Sequence, residues 1–220
     1  MKEKCKTALY AADISALKNA EKFTELYAKL SQNRRDKMRL FAHEDDALRS
    51  MAAELLLFHA LGANGIDPLG VSICEMEDGK PYLDGVRDFH FNLSHSGNLA
   101  ICAVSSLPVG CDVQEITDVK LDIARRFTPE EYGKITALKG DMARDLLFRF
   151  WTAKESYIKA IGTGFKTSLN SFSIDFESGE VRGSRGPYRV REFDAGDNYK
   201  CTVCTSAPDL RESEFVWVEL

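Results

Sequence analysis

A single carboxylate in the middle of an apolar run limits what this chain of 220 residues can fold into. VGCDVQ (109–114) reads as a β-strand, and a period of two puts Cys111 and Val113 on one face with Asp112 and Gln114 on the other. A buried, unpaired charge is too costly to keep, so the element packed on the second face must bring Asp112 a cation. That cation is either an Arg or Lys side chain, or a divalent ion shared with another carboxylate. FWTAKESYIKA (150–160) reads as a helix with Glu155 and Lys159 four apart on one face. Taken alone they are an ordinary surface pair. Beside Asp112, Glu155 points to a shared Mg²⁺, which takes one or two carboxylates and leaves its other positions to water and phosphate oxygens.

The other segments set the fold class. From 43 to 61 the apolar residues fall at three- and four-residue steps and Gly62 follows, which predicts an amphipathic helix with a C-terminal stop. FHFNL (89–93) and LAICAVSS (99–106) predict two short strands joined by SHSGN (94–98) as a tight polar turn. Thr128-Pro129-Glu130-Glu131 predicts a helix start, with Thr128 as N-cap and Glu131 closing a capping box. A second long helix is predicted over 142–161, stopped by Gly162 and Gly164. FSIDF (172–176), YRVREF (188–193), YKCTVCT (199–205) and FVWVEL (215–220) predict further strands. Helices and strands mix without a βαβ rhythm, so the class is α+β.

Charge and cysteine usage narrow the function. A net charge of −5 excludes a general nucleic-acid binder, which needs a clustered basic surface. Locally, Arg34, Arg35, Lys37 and Arg39 outweigh Asp36 in RRDKMR (34–39). No window approaches a membrane span, and the N-terminal apolar run is short and broken by Asp13, so a cytoplasmic protein without a signal peptide is expected. The six cysteines are scattered, as buried free thiols would be. Cys201 and Cys204 in a strand point to opposite faces, which predicts two core residues and no metal site.

FNLSHSGN (91–98) carries a Ser-His pair but no nucleophile elbow around Ser94, so it reads better as a set of phosphate donors. With the basic run at 34–39, Lys80 in GKPY, and Asp112 with Glu155, it composes a site for more than one phosphate.

GKPY (79–82), FNLSHSG (91–97), VGCDV (109–113), RRFTPEEY (125–132) and FWTAKESYIKAIGTGF (150–165) stand in an order and spacing that resemble the Sfp-type 4′-phosphopantetheinyl transferases. These move the phosphopantetheine arm of coenzyme A onto a serine of an apo acyl, peptidyl or polyketide carrier protein and release 3′,5′-ADP. The resemblance implies two similar pseudo-symmetric halves, residues 1–106 and 107–220, each a long helix on a small antiparallel sheet, with coenzyme A between them. It implies Asp112 and Glu155 as Mg²⁺ ligands, with Gln114 where many relatives carry a third acidic ligand. Lys159 would reach the pyrophosphate, and Arg34, Lys37, Arg49, Ser50, Lys80, Ser94 and His95 would contact coenzyme A. The expected protein is a monomer. Glu155 or a water on the metal would take the serine proton, whereas Lys159 would do so only with a strongly lowered pKa. A non-catalytic coenzyme A-binding regulator that kept the pocket, with Gln114 as its mark, and a metal-dependent phosphohydrolase are the competing readings.

Overall fold

The computed structural model describes residues 5–76 and 79–220; the start of the N-terminal segment, residues 1–4, lies outside them. In chain order the elements are β1 (Ala8–Asp13), α1 (Ala20–Tyr27), α2 (Gln32–Met38), α3 (Glu44–Ala63), β2 (Ile73–Glu75), β3 (Pro81–Leu83), β4 (His90–Ser96), β5 (Leu99–Ser105), β6 (Val109–Glu115), α4 (Pro129–Thr136), α5 (Gly140–Ile161), β7 (Ser173–Ile174), β8 (Val181–Arg182), β9 (Arg189–Phe193), β10 (Tyr199–Thr205) and β11 (Glu214–Trp217). The class is α+β, as the sequence implies.

Four layers stack as helix, sheet, sheet, helix. The first sheet has the order β11-β1-β5-β4 and carries α3 on its outer face; the second has the order β6-β10-β9 and carries α5. Strand alternation builds the three cores. On β5, Ala100, Cys102 and Val104 face α3 while Leu99, Ile101 and Ala103 face the second sheet. Cys111 and Val113 of β6 join that inter-sheet core, which turns Asp112 toward α5. Cys201 packs between the sheets and Cys204 packs under α5, on opposite faces as their spacing requires.

The long helices follow their sequence signals. Glu44, Asp45 and Asp46 fill the first turn of α3, where carboxylates suit the positive end of the helix dipole. Thr128 and Glu131 form the expected capping box at the start of α4. Gly162 ends α5 in the left-handed region at φ +67°, its N–H bonded to Ile158 O.

Two expectations need correction. SHSGN is not a turn: β4 runs through Ser94 and His95 to Ser96, and only Gly97 and Asn98 make the hairpin loop. Gly97 is required there, at φ +54° with a would-be Cβ 2.5 Å from the Tyr199 hydroxyl. FSIDF yields only the two-residue β7, paired with β8. The last strand does not stay with its neighbours in sequence: β11 crosses to the first sheet and pairs parallel with β1. The short helices α1 and α2 went unread: α2 buries only Met38, too little to make a period, whereas α1 does carry one, with Phe23, Leu26 and Tyr27 at three- and four-residue steps against the core.

Candidate active site

The site lies where the edges of the two sheets meet. The outward edge of β6 faces β4, a strand of the other sheet, and side chains close it. Cys111 N–H donates to Asn92 Oδ1 at 2.9 Å, Val113 N–H to Ser94 Oγ at 3.3 Å and Glu115 N–H to Ser96 Oγ at 3.0 Å. The outward carbonyls accept from lysines, Val109 O from Lys80 Nζ and Cys111 O from Lys159 Nζ, both at 3.1 Å. Buried backbone groups demand partners, and here alternate residues of β4 supply them in place of a backbone ladder. This explains why Asn92, Ser94 and Ser96 recur every second residue.

On its other face β6 lies directly against α5. A Cβ on Gly110 would stand 2.1 Å from Ser156 O and 2.3 Å from Ala160 N, so only glycine permits the approach. Two residues on, Asp112 is 2% exposed. Its Oδ1 accepts from Lys159 Nζ at 2.7 Å and from Ser94 Oγ at 3.0 Å, and its Oδ2 from Gln114 Nε2 at 3.2 Å. Glu155, one turn before Lys159 on the same face of α5, is half-buried. Burial and then the Asp112 charge push its carboxyl above the ordinary value. Burial works against the Lys159 ammonium, but the Asp112 carboxylate helps outweigh it and Lys159 is held above its ordinary value. Lys159 therefore fails the condition set for it as a base.

The donor set decides which metal would suit. Among the described residues no group of three or more His, Cys, Asp or Glu side chains could hold an ion. Two carboxylates whose charges oppose each other, with the amide of Gln114 beside them, suit a hard cation that keeps water and phosphate ligands, and suit zinc poorly.

The remaining candidates are spread more widely. Arg34 turns inward, Nε to Glu54 Oε2 and Nη1 to Ser50 Oγ, both at 2.8 Å, so Arg34 and Ser50 are bound to each other and neutralised by a buried carboxylate. Lys37 stands exposed on α2. Arg49 reaches from α3 to Gly97 O at 2.8 Å and Asp46 Oδ1 at 2.7 Å. His95, on the solvent side of β4, sits within the fields of Arg49 and Lys159; loss of water around the ring and these two charges hold its pKa below the usual value. Lys80 is occupied with backbone carbonyls.

Beside Glu155 opens a cavity of about 360 Å³, lined by Lys80, Asn92, Arg126, Trp151, Lys159 and Phe165 among others. Trp151 also walls a second cavity of about 270 Å³ that runs past Gln114, Val119 and Phe148. Sequence reasoning missed Lys154, which is fully buried next to Glu155. Its ammonium pairs with Glu131 Oε2 at 2.8 Å and donates to Leu169 O at 2.8 Å and Phe172 O at 2.7 Å. The signal was present: Lys154 falls in the stripe of Phe150, Ala153 and Tyr157, and a charge on a core face needs a counter-charge.

The family model described as the 4′-phosphopantetheinyl transferase superfamily matches residues 108–204, and that described as 4′-phosphopantetheinyl transferase, N-terminal, matches residues 18–107. A 4′-phosphopantetheinyl transferase of Bacillus subtilis is 38% identical over 192 residues, covering 84% of this chain and 86% of its own. The 4′-phosphopantetheinyl transferase Sfp of Bacillus subtilis strain 168 is 33% identical over 190 residues, covering 83% and 85%. The 4′-phosphopantetheinyl transferase gsp of Aneurinibacillus migulanus is 32% identical over 189 residues, covering 83% and 79%. With both halves matched and the relatives aligned over most of their length, the chain belongs to the 4′-phosphopantetheinyl transferase superfamily.

Proposed function

We propose that this protein transfers the 4′-phosphopantetheine arm of coenzyme A to a serine of an apo acyl, peptidyl or polyketide carrier protein in the cytoplasm. The observation that carries the reading is that Glu155 and Lys159 line the cavity side by side while Lys159 pairs with the buried Asp112 behind it. Asp112 and Glu155, with Gln114 beside them, would hold Mg²⁺. When bound, the ion neutralises negative charge on the diphosphate oxygens.

The chain's own groups do the rest. Lys159, kept protonated by Asp112 and with its three N–H bonds given to Asp112, Ser94 and Cys111 O, acts through its charge, which lies beside the cavity where charge spreads over phosphate oxygens in a phosphoryl-type transfer. His95 and Arg49 flank it toward the hairpin tip. Ser94 donates to the same Asp112 oxygen that Lys159 holds. The carrier serine Oγ forms a bond to the β-phosphorus while the bond to the bridging oxygen breaks, and 3′,5′-ADP leaves with that oxygen. Glu155, or a water held beside it, would take the serine proton. Among the described residues no helix is long and apolar enough to cross a membrane.

The experiment is to incubate the protein with coenzyme A, Mg²⁺ and an apo carrier, then weigh the carrier. The expected result is a gain of one phosphopantetheine arm, lost on chelation and lowered by about 10²-fold or more in Asp112→Asn. Unmodified carrier with intact bound coenzyme A would overturn the transferase in favour of a regulator. Normal turnover by folded Asp112→Asn would overturn the metal assignment.

A further inference from the structure

GKPY is one of the stretches that carry the family resemblance, and the resemblance implies a coenzyme A contact for Lys80. Its observed bonds run elsewhere. Lys80 follows the loop of the β2–β3 hairpin in the N-terminal half, and its ammonium donates to Lys159 O at 2.6 Å, Ala160 O at 2.8 Å and Val109 O at 3.1 Å. An ammonium has three N–H bonds to give, and all three are used. Two acceptors belong to the last turn of α5, whose carbonyls have no partner within the helix. The third lies on the outward edge of β6, two residues before the carbonyl that Lys159 holds. The stem of Lys80 passes beside Gly162, where a Cβ would sit 3.4 Å from Lys80 Cδ. Burial pulls the Lys80 pKa down to about 8, which leaves it protonated at neutral pH. Between the two lysines lies the contact of Gly110 with Ser156 and Ala160, so Lys80 closes the open end of the joint that Gly110 makes possible.

We propose that Lys80 is a positioning residue whose ammonium fastens the last turn of α5 to the edge of β6, setting where Lys159 stands relative to Asp112 without touching coenzyme A. The proposal rests on the transferase reading of the same site. Without the ammonium, three buried carbonyls lose their donor, the last turn of α5 loosens, and Lys159 drifts from Asp112.

The test is Lys80→Met, which keeps the stem and removes the charge. Carrier loading is expected to show kcat reduced by about 10- to 100-fold, as for a misplacement of about 1 Å, with KM for coenzyme A changed by less than about threefold. Hydrogen exchange is expected to quicken at the amides of residues 158–162. A raised KM with wild-type kcat makes Lys80 a ligand contact and overturns the proposal; so does a variant with wild-type kcat, KM and exchange. Should Lys80→Met not fold, the wild-type protein decides. The ¹⁵N resonance of the Lys80 ammonium, assigned by its loss in Lys80→Arg, is expected to exchange slowly and to stay in place on saturation with coenzyme A. A rapidly exchanging or ligand-shifted resonance refutes the fastening. A wild-type protein that loads no carrier while its ammonium behaves as stated would sink the transferase reading and leave the fastening standing.

Discussion

Gly110→Ala tests whether the approach of β6 to α5 is what sets the site. The added Cβ would meet Ser156 O at 2.1 Å, Ala160 N at 2.3 Å and Lys159 C at 2.9 Å, all backbone atoms, where ordinary contact begins at 3.4 Å. Relief from the closest clash demands 3.4 minus 2.1, or 1.3 Å of separation. No rotamer can supply it, because both partners are main chain within regular elements. The cost therefore falls at the top of the overpacking range, about 3 kcal/mol. At about 2–4 °C per kcal/mol for a chain of this size, Tm should drop by about 6–12 °C. The same displacement would stretch the 2.7 Å contact of Lys159 with Asp112 beyond hydrogen-bonding distance. A 1 Å misplacement of such groups costs about 10²-fold in rate, so carrier loading should fall by that much even where the variant is fully folded. Melting followed by circular dichroism and loading followed by mass spectrometry read the two effects separately. A Gly110→Ala protein with wild-type Tm and wild-type kcat would show that helix and strand are free to part, and the geometric account of the site would fail.

Two further outcomes concern groups around the site. Lys154→Met strands Glu131 without its cation and should cost about 3–5 kcal/mol, while Lys154→Met with Glu131→Gln should recover much of it; equal melting of single and double variants would refute a buried ion pair. His95 has a folded-state pKa below its unfolded value of 6.5, so below pH 6.5 the unfolded chain binds a proton that the folded one resists. The stability it contributes is present above that pH and lost as pH falls through it. Wild-type Tm should therefore fall more than that of His95→Gln between about pH 7 and pH 5, and parallel curves would contradict the shift.

What could be read from the sequence was local. The period of two in VGCDVQ turned Asp112 and Gln114 away from Cys111 and Val113, and the structure seats the second pair between the sheets. The capping box at Thr128, the glycine stop at Gly162 and the opposed faces of Cys201 and Cys204 each depend on a few neighbouring residues. What could not be read was pairing between distant segments. Arg34 counts as part of a basic run until Glu54, on another helix, neutralises it. Ser94 and His95 read as a polar turn because nothing in their own stretch reveals that β6 lies alongside with amides to satisfy. Gly110 reads as a small residue in a strand, and its purpose appears only when α5 arrives on top of it.

The two lysines of the WTAKESYIK stretch show how far identical chemistry can diverge with position. Helical geometry turns about 100° per residue, so Lys159 lies about 40° round the axis from Glu155 and about 140° from Lys154. Lys159 accordingly shares the face of Glu155 and meets Asp112, whereas Lys154 enters the core and is neutralised by Glu131, the residue that caps α4 and also accepts from Ile174 N–H. Lys154 thereby ties α4, α5 and the backbone at Leu169 and Phe172 together behind the cavity wall. Glu155 lies between a lysine that braces its helix and a lysine that pairs with Asp112. Burial and then the Asp112 charge raise the pKa of its carboxyl, while Lys154 pins the helix from the other side. A run that reads as one motif is therefore divided by the pitch of the helix, one lysine turned to the core and the other to Asp112.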